Sequence, residues 1–199
     1  MYNSYNYVDA DYTYTDPKTG ILRNLADITD KDVLLFFESG AVAKRIQELY
    51  ENPIKIVGID SLFEIHRHLF QDVYSWAGKK RKVEISKAGK QFFPTTHFDT
   101  AFRYIDSLVS DYKNISQNNK PQIAEKLADI LDNVNYLHPF REGNGRTQRE
   151  FLRLLALEKD LTLNLNPPDN KNVYEQYMHG TINSDVKALT KLILELIEE

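Results

Sequence analysis

Residues 138–149 read HPFREGNGRTQR. A packed core has no use for a Gly-Asn-Gly run between a glutamate and two arginines, and neither has a helix interior. What precedes the run is helical. From Pro121 onward, Ile123, Leu127, Ile130, Leu131, Val134 and Leu137 recur at the spacing of one buried helix face. Pro139 disfavours the α region for the residue before it, so this helix should end at or near His138. After the run, Phe151, Leu154 and Leu155 continue a second periodic helix to about Lys159. The run is therefore a tight loop between two buried helices. Gly143 and Gly145 allow it to turn sharply and let another group approach closely.

The helix after the loop is expected to begin around Arg146, with its first N–H groups pointing back into the loop as an anion site. Arg146 and Arg149 lie three apart and project from one face. Two guanidinium forks beside unpaired N–H groups suit a polyphosphate. Glu142 is an oxygen ligand placed for a phosphate-bound Mg²⁺, which typically takes one or two carboxylates. His138, titrating near neutrality, can take a proton from an attacking hydroxyl. Asn144 can donate to a phosphate oxygen. This is the chemistry of a phosphoryl- or nucleotidyl-transfer site. Each residue also has a plainer use. Arg149 could pair with a neighbouring carboxylate, Gly143 to Gly145 could be an ordinary turn, and His138 could cap its helix. Their coincidence in twelve residues favours the site.

The rest of the chain supplies the frame. Its 199 residues suit one domain, and 42% apolar with 12% aromatic residues is enough for a sizeable core. A net charge of −4 argues against a general nucleic-acid binder. Cysteine is absent, which excludes disulfides and thiolate zinc sites. No signal-peptide pattern and no apolar run of membrane-spanning length is visible, so a soluble, cytoplasmic protein without a membrane or nucleic-acid partner is expected.

Residues 1–24 read as an irregular arm packed through its aromatics, with one tyrosine available for self-modification. Helices are expected at about 31–50, from Asp60 to near Gly78, and at 96–113, 173–179 and 185–197. KVEISKAGKQFFP, residues 82–94, reads as a short β-hairpin in which Val83 and Ile85 alternate with polar residues and Ala88-Gly89 turn. Phe92 and Phe93 read as hairpin packing. His66 and His68, two apart on a helix, face different sides and make a poor metal pair. The fold class is all-α with one hairpin. Residues 1–58 form an arm and helix packed on the core, and residues 59–199 form the catalytic domain with a flap near 82–94.

The run resembles the signature of the Fic family, H-x-F-x-[D/E]-[G/A]-N-[G/K]-R-x-x-R. His138, Phe140, Glu142, Gly143, Asn144, Gly145, Arg146 and Arg149 fill every specified position. HRHLFQDVYSWAGKKR (66–81) and EISKAGKQFFP (84–94) look like the family's helix leading to the flap and the flap itself, so the similarity covers roughly residues 59–159. The resemblance implies a protein adenylyltransferase moving AMP from ATP onto a Tyr, Thr or Ser hydroxyl. His138 would be the base and Glu142 the Mg²⁺ ligand. Asn144 and the N–H groups around Gly143 to Gly145 would hold the α-phosphate, Arg146 the β-phosphate and Arg149 the γ-phosphate. Phe140 would anchor the loop. The flap would dock the target by main-chain pairing along its exposed edge, with Ile85 and Lys87 clamping the modified side chain. Gly145 favours AMP transfer, since Doc-type relatives carry Lys there and transfer phosphate. Some members use UTP or CDP-choline, and an ATP-binding interaction module without transfer is the alternative.

Many members are restrained by a helix carrying [S/T]-x-x-x-E-[G/N], whose Glu pairs with the second motif arginine. No intact copy is visible: Glu51-Asn52 comes closest, but position 47 is Gln. A toxin restrained by a separate small antitoxin chain supplying that Glu is the expectation.

Overall fold

In the computed structural model, which describes residues 6, 7, 9, 12–87 and 89–198, helix α4 (Lys120–Leu137) forms the centre of the bundle. The Asn119 side chain accepts from the Gln122 N–H and Pro121 occupies the first turn, so the helix start is satisfied where the sequence places it. Its apolar face of Ile123, Leu127, Ile130, Leu131, Val134 and Leu137 is buried, and each such side chain contributes about 1.5–3 kcal/mol. Helices α3 (Phe98–Asn114), α5 (Asn144–Leu157), α6 (Lys171–Asn183) and α7 (Val186–Leu196) pack on or beside it. Helix α2 (Ile59–Phe70) lies against α5, and α1 (Lys31–Glu51) against α2. Together they make the all-α class expected from sequence.

Three boundaries differ from the sequence reading. Helix α2 stops at Phe70 and gives way to turns, rather than running to Gly78. Tyr74 and Trp76 both turn into the core and stack at 4.2 Å, which two positions two apart in a helix cannot do. Helix α5 begins at Asn144, two residues earlier than expected, because Gly143 at φ 83° makes the turn. Helix α6 extends to Asn183, where Ser184 caps it in the left-handed region.

The flap is β2 (Ile85–Lys87) paired antiparallel with β3 (Lys90–Gln91), turning at Gly89 with φ 79°. A third strand was not expected. Residues Asn6–Tyr7 form β1 and pair antiparallel with β2, giving the order β1-β2-β3. The arm behind it packs through one aromatic as read: Tyr14 is buried edge-on to Trp76 at 5.6 Å, and its hydroxyl accepts from the Lys82 N–H. Tyr12 is half exposed, while Tyr2 and Tyr5 lie outside the described residues.

One side chain joins flap to bundle. Arg81, 2% exposed, donates through Nε to the His138 carbonyl at 2.8 Å, and through its two terminal nitrogens to the carbonyls of Val83 and Phe93. Its own N–H donates to the Pro139 carbonyl at 2.7 Å, and its guanidinium lies 5.0 Å from the Phe98 ring centroid. A buried charge persists only when its donors are satisfied, and here they are satisfied by both sides of one seam. Arg81→Met leaves one buried and two partly buried carbonyls without that donor, a loss of about 3 kcal/mol. Calorimetry should show the thermal midpoint falling by roughly 6–12 °C. Arg81→Lys should recover less than half of that, because one ammonium cannot reach all three oxygens.

Candidate active site

The loop after α4 is held from several sides. His138 caps the helix with φ 45° and ψ 60°, a left-handed conformation that a non-glycine residue adopts at a cost of about 1–2 kcal/mol. Phe140 is buried, stacks on the His66 ring at 3.7 Å and meets Phe63 edge-on. Below the loop, the His66 Nδ1 accepts from the Gly78 N–H at 2.8 Å, so its Nε2 carries the proton and donates to the Glu142 carbonyl. His68 bonds the Arg45 carbonyl instead. These two histidines are therefore struts for backbone. The Asn144 side chain spans the loop, accepting from the Phe140 N–H and donating to the Phe140 carbonyl. In this structure its amide closes the loop, leaving one N–H for any other acceptor.

His138 itself is buried, with its imidazole stacked at 3.7 Å on Phe92. Its Nδ1 faces the Asn135 carbonyl at 2.8 Å. A carbonyl can only accept, so Nδ1 bears the proton and Nε2 holds the lone pair. Burial, helped by the charges of nearby Lys87 and Arg81, pushes the imidazole pKa down to about 3. The ring is neutral at physiological pH, the state a general base requires.

Arg146 and Arg149 leave α5 on the same side, and with Arg153 they line a cavity of about 160 Å³ completed by Ile46, Tyr50 and Leu163. Arg146 lies over the Phe70 ring at 4.8 Å, and its guanidinium is ion-paired to Glu38 of α1. The other Glu38 oxygen accepts from the Tyr74 hydroxyl, and burial, followed by the Glu38 charge, raises the pKa of that phenol. Glu38 is a site residue that the sequence reading passed over. The available signal was its register: Leu34, Glu38 and Val42 fall at four-residue spacing on the buried stripe of α1, where a carboxylate requires a partner. The resemblance placed an inhibitory carboxylate on the second motif arginine, whereas Glu38 meets the first. Arg149 lies 5.6 and 5.5 Å from the Tyr174 and Tyr177 ring centroids, and among the described residues no carboxylate pairs with it.

Glu142 accepts from the Gly143 N–H at 2.9 Å, and burial, then the charge of Glu38, raises its pKa. The nearby Arg146 and Arg141 charges oppose that rise, so Glu142 is a buried carboxylate with one oxygen engaged by backbone. The donor set thus fits a Mg²⁺ held by Glu142 and by phosphate oxygens. Gly145 stands beside Arg149, where an added Cβ would meet the guanidinium at 3.4 Å. On the flap, Ile85 is buried and Lys87 is close enough for its charge to act on His138. The structure therefore sets Glu142 within reach of the Arg146 charge, Arg146 beside Arg149 on one cavity, and Lys87 and Phe92 of the flap against His138, with the Phe92 ring covering the imidazole.

Gly143 has no room for a side chain: a Cβ would fall 2.3 Å from the Phe70 ring, at a φ that L residues avoid. Gly143→Ala should lower stability by about 2–4 kcal/mol by denaturant titration and distort the loop. Two buried neutral histidines also set an acid limit. His66 is likewise pushed down to about 3, chiefly by burial, against about 6.5 in the unfolded chain. Since the folded values are depressed, this stability is complete above about pH 6.5 and is lost as pH falls from there toward about 3. The thermal midpoint should decline between pH 7 and pH 5, and decline less steeply in His138→Asn.

Comparison with known proteins agrees with this geometry. The Fic/DOC family model matches residues 57–156. The protein adenylyltransferase VbhT of Bartonella schoenbuchensis is 37% identical over 146 residues, 73% of this chain but only 30% of the relative's length. The probable protein adenylyltransferase y4lH of Sinorhizobium fredii is 36% identical, covering 76% of this chain and 78% of its own. Among solved structures, the BepC effector protein of Bartonella tribocorum with bound AMPPNP superposes with a TM-score of 0.80 over 94% of this chain and 97% of its own, at 20% identity, which shows the fold. With the signature loop, the flap and half of the chain matched in sequence, this protein belongs to the Fic/DOC family.

Proposed function

We propose that this chain is a protein adenylyltransferase that moves AMP from ATP to a Tyr, Thr or Ser hydroxyl of another protein. The observation that carries the reading is His138: a neutral imidazole whose Nδ1 is pinned to a carbonyl, at the start of the loop that leads into α5, whose two arginines line a cavity. The Nε2 lone pair takes the proton of the attacking hydroxyl. A new bond forms from that oxygen to the α-phosphorus, the bond from the α-phosphorus to the bridging oxygen breaks, and pyrophosphate leaves. Arg146, braced by Glu38, and Arg149 hold the β- and γ-phosphates. The loop N–H groups around Gly143 to Gly145 take charge developing at the α-phosphate. Mg²⁺, bound through Glu142 and the phosphates, would neutralise polyphosphate charge. Homologues named as protein adenylyltransferases support the reaction class.

The same reading makes the chain a toxin whose restraint comes from a separate antitoxin. The cavity between α1 and α5 is open beside Arg149, and a partner's glutamate entering there would take the place of the γ-phosphate. Among the described residues no helix is long and apolar enough to cross a membrane.

The test is incubation with ATP labelled at the α- or γ-phosphate, Mg²⁺ and a bacterial lysate. α-Label should appear on discrete protein bands with the native chain. It should fall by about 10²–10⁴-fold with His138→Ala. Arg149→Ala should chiefly raise the half-saturating ATP concentration. Transfer of the γ-label alone would replace AMP transfer with phosphorylation.

A further inference from the structure

The flap strand nearest the catalytic histidine already has a partner on each side. Strand β2 is central in the order β1-β2-β3, so the edge that the hairpin leaves open is taken by the chain's own Asn6–Tyr7. The register is definite: Asn6 lies opposite Ser86 and Tyr7 opposite Ile85. On its other side the Ile85 carbonyl accepts from the Phe92 N–H at 3.2 Å, and the Phe92 ring covers His138 at 3.7 Å. One rung thus runs from Tyr7 through Ile85 and Phe92 to the base.

We propose that the N-terminal segment around Asn6–Tyr7 is an intramolecular occupant of the target-docking edge, which a target segment must displace before transfer. The proposal rests on the reading of β2 as the docking strand. An open strand edge offers unpaired N–H and C=O groups to any extended segment, and β1 uses those groups. Its hold is short, two residues, each hydrogen bond adding only a small net amount. What sustains so short a pairing is the anchor beside it. The Asp9 carboxylate accepts from the N–H groups of Thr13, Tyr14 and Thr15, and Tyr14 is buried against Trp76. The strand is therefore tethered one residue from a fixed point and competes at an effective concentration of about millimolar.

The anchor and the strand separate cleanly, which makes the test direct. Deleting residues 1–8 removes β1 and leaves Asp9 in place. Asn6→Pro with Tyr7→Pro keeps the length but removes both N–H donors. In both variants, hydrogen exchange across residues 82–94 should quicken with the thermal midpoint unchanged. A fluorescein-labelled peptide of residues 1–12 should bind both variants, and bind the full chain at least about tenfold more weakly. With α-labelled ATP, the deletion should label lysate proteins several-fold faster at an unchanged half-saturating ATP. Unchanged exchange, equal peptide binding by all three proteins, or a collapsed midpoint in both variants would overturn the proposal, the last by making β1 a structural member. Peptide binding as expected without label from any protein would count against AMP transfer and leave the strand's occupancy standing.

Discussion

The site depends on one buried guanidinium. Arg81 is the seam between the flap and the helix bundle: it carries the carbonyls of His138, Val83 and Phe93 together, and its main-chain N–H takes Pro139. These acceptors belong to three separate stretches that local structure alone would leave independent. Phe92, which covers the imidazole, is flanked by Phe93, tied to the same cation through its carbonyl and to Tyr136 through its N–H. Few other side chains could do this, since Arg offers five donors in a planar fork that stays charged when buried.

Around that seam the structure tolerates features a folding optimum would avoid. His138 holds a left-handed backbone, two imidazoles are buried without charge, and Glu38 and Glu142 lie close enough to raise the proton affinity of Glu142. Strain and desolvation of this kind persist where the surroundings over-determine them. Here the surroundings are identifiable: Asn144 laces the loop across Phe140, and His66 supports the Glu142 carbonyl from below. Arg146 is braced in the same way by Glu38 and Tyr74, so its orientation is set by partners within the chain. The loop is pre-organised, and its stability is drawn from the packed α2, α4 and α5 helices beneath it.

Much of this was legible in sequence because its determinants are local. The periodic face of α4, the proline after His138 and the glycines of the loop each constrain the backbone within a turn or two. The eight signature positions lie within one short stretch, so the residues proposed as base, metal ligand and phosphate clamp could be read together. Where the sequence reading failed, the cause was distant in the chain. The end of α2 at Phe70 follows from Tyr74 and Trp76 both being drawn into the core. Glu38 sits 108 residues from Arg146, and nothing in the local pattern of α1 names that partner, although its place on the buried stripe calls for one.

By itself, then, the sequence determined the helical class, the loop between two buried helices, and the chemical identity of the groups on it. Spacing and residue type suffice for those. Only the tertiary structure decided how these groups are presented: which nitrogen of His138 holds the lone pair, what braces Arg146, which cation ties flap to loop, and that β1 closes the edge of β2. Each of these is a pairing between residues far apart in the chain. It arises because buried donors, acceptors and strand edges must find partners, and the identity of a distant partner is settled only when the chain has folded.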